Sequence, residues 1–146
     1  MSSILLATDG SPSAERATDE AVRLARATGW PLHVVVVWKT PVIVGYGYTP
    51  MAPVHELSEA EQQAAHEVAE RVAARGRAAG AETSFEVREG DAADEICAAA
   101  GEIRPELIVI GSHGWGGFRR TVLGSVSNRV VHEAPCGVLV VRTIAE

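Results

Sequence analysis

Short runs of β-branched and aliphatic residues alternate along the chain with longer stretches in which small apolar residues return every three or four positions. This switching of period predicts βα units wound around a mainly parallel sheet. Strands are expected at 3–8, 32–38, 83–88, 107–111 and 138–142. The stretches 34–37 and 107–110 are apolar at every position, as strands covered on both faces must be, so these two are expected to be central.

Between the first two strands, Ser11 is placed to cap a helix with Pro12 at its first position, and Ala14, Ala17, Ala21, Leu24 and Ala25 recur at helical spacing before Gly29. Ser58 and Glu61 form a capping-box pattern for a second helix, whose start is left open by a turn, with Ala60, Ala64, Val68 and Val72 on one side. Asp91 is the expected cap of a third helix through Ile96 and Ala100, and Gly124 or Ser125 begins a fourth that Pro135 stops. The connection 39–53 holds Pro41, Gly45, Gly47, Pro50 and Pro53 around Tyr46 and Tyr48. At that length it is either a functional flap or a disordered segment.

The length of 146 residues fits one domain spanning 1–146. With 13 Lys and Arg against 19 Asp and Glu, the formal charge of −6 argues against gripping nucleic acid or an anionic membrane by bulk electrostatics. No apolar run is long enough to span a bilayer, and the first residues lack a basic segment ahead of an apolar one, so the chain reads as cytoplasmic. Cys97 and Cys136 form no CxxC pair and are expected to be small buried apolar residues.

The chemistry concentrates after the fourth strand. Gly111-Ser-His-Gly114 is followed by nine residues and then by Gly124-Ser-Val-Ser127 and a helix. Glycines let the main chain approach a phosphate closely, converging N–H groups can hold its oxygens, and the helix start adds unpaired donors and the positive end of its dipole. Taken singly, Gly111 and Gly114 are ordinary turn residues and Ser125 an ordinary cap. Their order, from strand to glycine turn to helix start, is what makes one concave surface of donors. Other phosphate and nucleophile motifs fail: G-x-x-x-x-G-K-[ST], G-x-G-x-x-G after a strand and G-x-S-x-G are all missing. His113 has no identifiable carboxylate or nucleophile partner and reads as a hydrogen bonder that fixes the loop. His33, His55, His66 and His132 show no ligand spacing, so no side-chain metal site is indicated.

These residues resemble the universal stress proteins, whose ATP-binding members carry G-x2-G-x9-G-[ST]; Gly111, Gly114, Gly124 and Ser125 match every fixed position. The resemblance extends to the first strand with Asp9, to the fourth strand, and to Ala134-Pro-Cys-Gly-Val-Leu-Val-Val141, so it covers essentially the whole chain. It departs at Trp115, where many relatives have a basic residue, with Arg119 and Arg120 following later, and at Glu106, where relatives often have Asp.

The resemblance implies an α/β fold with a single open five-stranded parallel sheet in the order 3-2-1-4-5 and helices on both faces, of the adenine nucleotide alpha-hydrolase-like kind. Strands 1 and 4 would then be neighbours whose connections leave in opposite directions, and ligands bind at such a switch point. By the same resemblance, the adenine of ATP would lie near Ala7 and Val37 and the ribose by Asp9 and Gly111. The phosphates would lie among Ser112, His113, Gly114, Gly124, Ser125, Val126 and Ser127, with Mg²⁺ between their oxygens. It also implies a homodimer through the edge strand of Val138, Leu139, Val140 and Val141. The function so implied is a nucleotide-dependent sensor or signalling module. The alternatives left open are a slow ATPase or autophosphorylating enzyme, at Ser112, Ser125 or Ser127, and a partner-binding dimer that no longer uses nucleotide.

Overall fold

The computed structural model describes residues 1–39, 54–113 and 124–142. In chain order these form β1 (Ile4–Ala7), a 3-10 turn (Pro12–Ala14), α1 (Glu15–Thr28), β2 (Leu32–Trp38), α2 (Val54–Ala78), β3 (Thr83–Glu89), α3 (Ala92–Ile103), β4 (Leu107–Gly111), α4 (Ser125–Glu133) and β5 (Gly137–Val141). The five strands make one sheet in the order β3-β2-β1-β4-β5, and every neighbouring pair is parallel. All five predicted strands are present, with β3 one residue longer than expected, β1 trimmed by one residue at each end and β5 shifted one residue earlier.

Alternation along the central strands divides the core in two. Ile4, Leu6, Val34, Val36 and Val109 face α1 and α2, whose Ala17, Ala21, Ala25, Ala65, Ala69 and Val72 pack against them. Leu5, Ala7, Val35, Val37, Ile108 and Ile110 face α3 and α4, where Ala93, Ile96, Ala99 and Val130 complete the second cluster. Most helix residues at these seams are alanines, so the helices lie close on the sheet.

Three local expectations are corrected. The 3-10 turn precedes α1, which begins at Glu15, and the Ser11 side chain makes no cap bond. Ser11 holds the N-cap position of the 3-10 turn, but the Ala14 N–H that its side chain would take donates to the Ser11 carbonyl at 3.0 Å, while Asp9 Oδ1 accepts the Ser11 N–H at 2.9 Å in an Asx turn. α2 begins at Val54, a turn before Ser58, and buries Ala65, Ala69, Val72 and Ala73, whereas Ala60 and Ala64 are exposed and Val68 is half-buried. Alanines lie so densely along this helix that their pattern does not choose a face. Gly76 does, because a Cβ there would lie 2.5 Å from Thr83 Oγ1, and positions 65, 69, 72, 73 and 76 form the single stripe that meets β3. Cys97 and Cys136 are half-buried, since one lies on the flank of α3 and the other where the chain enters an edge strand; burial still pushes both thiols up from their ordinary value.

Candidate functional site

The sheet order makes β1 and β4 neighbours, with β1 leading to α1 on one face and β4 leading toward α4 on the other. A crevice therefore opens beyond their C-terminal ends. The β1–β2 ladder ends with the Thr8 N–H bonded to the Val35 carbonyl at 3.2 Å. In a parallel ladder alternate residues face the same neighbour, so the main chain of Val37, two residues on, faces past the end of β1 into this crevice. Ala7 and Val37 are buried in the same apolar cluster, which gives that corner an apolar floor.

Asp9 lies just beyond β1 and is half-buried. Its turn is tightened by the Gly10 N–H donating to Thr8 Oγ1 at 3.1 Å and by the positive φ of 75° at Gly10. Across the crevice Gly111 ends β4, buried against the first turn after β1: a Cβ on it would lie 3.7 Å from the Ser13 carbonyl oxygen and 3.3 Å from that of His113. The end of β4 thus lies against the 3-10 turn that follows β1.

Ser112 fixes the approach to α4. Its N–H donates to the Val141 carbonyl at 2.9 Å, and its own carbonyl accepts the Gly124 N–H at 2.8 Å. Gly124 is the N-cap of α4 in extended conformation, and a Cβ there would lie 2.9 Å from the Ser112 carbonyl oxygen. The bond between Asn128 N–H and the Gly124 carbonyl begins the intrahelical ladder, which leaves the amides of Ser125, Val126 and Ser127 at the helix's electropositive end without an intrahelical acceptor. Ser125 is exposed. Ser127 is not a free hydroxyl donor as expected: its Oγ is buried and donates to the Gly124 carbonyl at 3.0 Å, bracing the cap.

The structure therefore brings Ala7, Asp9, Val37, Gly111, Ser112, His113, Gly124, Ser125, Val126 and Ser127 to one end of the sheet. Gly114, Trp115, Arg119 and Arg120, and the loop with Tyr46 and Tyr48, lie outside the described residues. Ser11 Oγ and His113 Nδ1, like His33 Nε2 on β2, are withdrawn from solvent with no hydrogen-bond partner. Among the described residues, no group of three or more His, Cys, Asp or Glu is arranged to hold a metal.

Two residues not singled out in the sequence contribute. Arg71 of α2 reaches the Gly10 carbonyl at 3.5 Å and brings a cation to the rim of the crevice; its place follows from Val68 packing on Gly10, which no local pattern announces. Arg129 of α4 donates to Asp91 at 2.8 Å, Asp94 at 2.5 Å and Glu133 at 3.1 Å, tying the helix to the start of α3. The Asp94 amide foremost, and then Arg129, hold the Asp91 carboxyl below its ordinary range.

An open parallel sheet with helices on both faces and a donor-lined crevice at its switch point defines a protein of the adenine nucleotide alpha-hydrolase-like fold. Compared with known families, residues 1–142 match the Universal stress protein family. A universal stress protein of Thermus aquaticus is 37% identical over 140 residues, covering 95% of this chain and 97% of its own length. Among solved structures, the universal stress protein UspA from Lactobacillus plantarum superposes with a TM-score of 0.82 at 27% identity, covering 97% of each chain. The universal stress protein from Archaeoglobus fulgidus in complex with dAMP superposes at 0.67 with 27% identity, covering 96% of this chain and 97% of its own. The chain belongs to the Universal stress protein family.

Proposed function

We propose that this protein binds an adenine nucleotide, ATP with a bridging Mg²⁺, in the crevice between β1 and β4, and acts in the cytoplasm as a nucleotide-dependent sensor or signalling module. The observation that carries this reading is the start of α4: amides of Ser125, Val126 and Ser127 pointing out of a helix whose cap is fixed to Ser112 so tightly that a Cβ at Gly124 would lie 2.9 Å from its carbonyl oxygen. Such a place suits an anion that comes closer to the main chain than side chains permit. The orphaned Ser11 Oγ and His113 Nδ1 also fit a polar ligand, and the dAMP complex of the A. fulgidus relative supports the class of ligand.

In this reading Val37 offers its N–H and C=O to the adenine edge, and Ala7 forms the apolar floor beneath the ring. Asp9 and Gly111 border the ribose. Ser112, His113, Gly114, Gly124, Ser125, Val126 and Ser127 surround the phosphates. Mg²⁺ would neutralise charge between phosphate oxygens and needs no protein carboxylates of its own. Titration calorimetry with ATP and Mg²⁺ tests the reading: micromolar to millimolar binding with one nucleotide per chain is expected, and an absence of heat at millimolar ATP sinks it.

The proposal includes a two-fold homodimer through β5. The two sheet edges differ: β3 carries Glu82, Ser84, Glu86 and Arg88 on or beside it, whereas β5 presents half-buried Val138, Leu139, Val140 and Val141, beside the exposed Val131 of α4. Charges protect an edge from pairing and their absence invites it. Val140→Lys is expected to convert a dimer to a monomer in light scattering; a wild-type chain that is already monomeric at high concentration contradicts it.

A further inference from the structure

At the end of the sheet opposite the crevice, three side chains with no part in nucleotide binding form a chain of contacts. His33 is the second residue of β2 and Ser84 the second of β3. The parallel register sets them directly opposite each other, with Glu86 two positions further along β3 on the same face. Ser84 Oγ lies 2.7 Å from His33 Nδ1. His33 Nε2 lies 3.4 Å from Glu86 Oε2, a distance of electrostatic contact.

The carboxylate is held from behind. Its other oxygen, Oε1, accepts from Arg88 Nη1 at 2.8 Å, and Arg88 is in turn fixed by Glu95 at 3.0 Å and Glu102 at 2.8 Å. Glu86 therefore keeps one oxygen turned toward the imidazole. His33 Nε2 is buried without a hydrogen-bond partner, and the negative charge of Glu86 beside it favours the tautomer with its proton on Nε2, which leaves Nδ1 as the acceptor for the Ser84 hydroxyl. A merely solvated polar ladder needs none of this order. Here the imidazole is withdrawn, with 19% of its side chain exposed, while Ser84 at the open edge is accessible.

The same edge supplies a main-chain donor. The Leu32 N–H bonds the Glu82 carbonyl, so even-numbered residues of β3 face β2 and odd-numbered ones face outward. The outward Thr83 carbonyl is taken by Arg77 Nε at 3.0 Å, and the Phe85 N–H next to Ser84 faces the same open side.

We propose that Ser84 is an activated nucleophile, with His33 as its general base and Glu86 as the residue that positions the imidazole, and that it accepts acyl groups from small activated esters. Ser84 Oγ attacks the ester carbonyl carbon as His33 Nδ1 takes the hydroxyl proton, and the Phe85 N–H faces the developing oxyanion. The bond from carbon to the leaving oxygen breaks, that oxygen receives the proton from His33, and acyl-Ser84 remains. Water then attacks the acyl carbon, His33 takes its proton and returns it to Ser84 Oγ, and the free acid leaves. No electrons are exchanged with another reagent.

The test is incubation of the full chain with p-nitrophenyl acetate, following p-nitrophenol release and mapping acetylated peptides by mass spectrometry. Ser84 is expected to be acetylated ahead of every other serine. Ser84→Ala should remove that label, and His33→Gln should slow it about a hundredfold. Glu86→Gln should slow it less, with Glu86→Asp recovering part of the rate. Acetyl groups found on lysines or on other serines and not on Ser84, or equal Ser84 labelling in wild type and His33→Gln, overturn the proposal. The comparison of Ser84 with other serines in the unmodified sequence decides it even where a variant fails to fold.

Discussion

Gly124→Ala is expected to weaken ATP binding by about a hundredfold while leaving the chain folded. The added methyl would meet the Ser112 carbonyl oxygen at 2.9 Å and Ser127 Oγ at 3.7 Å, and the first of these is main chain that cannot swing aside. The start of α4 must move, so the amides of Ser125, Val126 and Ser127 lose their common aim. A hydrogen bond to a charged group contributes about 1.5–3 kcal/mol. Misplacing one or two such bonds therefore reaches about 2.7 kcal/mol, which is a hundredfold in affinity. Calorimetric titration of the two proteins side by side measures it. Gly101→Ala is the control: nothing lies within 4 Å of the added Cβ, it sits in α3 away from the crevice, and its affinity should match the wild type.

Gly10→Ala should be the most destabilising of the glycine substitutions, by about 2–4 kcal/mol. Two separate costs meet at this position. The φ of 75° is left-handed, which an L side chain adopts at a penalty, and a Cβ would lie 2.7 Å from both methyls of Val68 and 3.2 Å from Arg71 Nη2. Val68 belongs to the helix that covers β2 and β3 and cannot withdraw without opening that core. In a chain of this size the loss corresponds to a fall of roughly 10 °C in thermal midpoint. Denaturant unfolding and a thermal scan check it; an unchanged midpoint would show that α2 does not close on the turn after β1. Because that turn carries Asp9, nucleotide affinity should fall with it.

These two glycines show what a sequence discloses and what it withholds. Gly124 was legible in role, since a glycine between a long loop and an amphipathic helix signals a helix start that something approaches closely. That the approaching group is the Ser112 carbonyl is a tertiary fact. Gly10 belongs to no motif, and its requirement arises from Val68, far away in the sequence. The strands were legible because Val34, Val35, Val36 and Val37, like Ile108, Val109 and Ile110, are buried on both sides and so apolar throughout. The rotation of α2 was not, because alanine is tolerated on either side of a helix and only the contact of Gly76 with Thr83 decides which side turns inward. Ser11 sits at the expected cap position before Pro12, but the first turn is 3-10 and its Ala14 amide bonds the Ser11 carbonyl, so the side chain has no cap bond to make. Arg71 and Arg129 gave no signal at all, being charged residues on helices whose partners are set by packing. The line of Ser84, His33 and Glu86 is likewise invisible until the register of β2 and β3 places it.

The central claim is that main-chain amides at the start of α4, gathered at the end of β4, hold a nucleotide's phosphates. It is tested most directly by following backbone amide resonances of the isotopically labelled protein during addition of ATP and Mg²⁺. The account predicts that Ser125, Val126 and Ser127 shift most, together with Gly111 and Val37, and saturate with one affinity, while Ser84 and His33 at the far end stay in place. An unresponsive spectrum at millimolar ATP, or shifts confined to another surface with α4 unmoved, would contradict it.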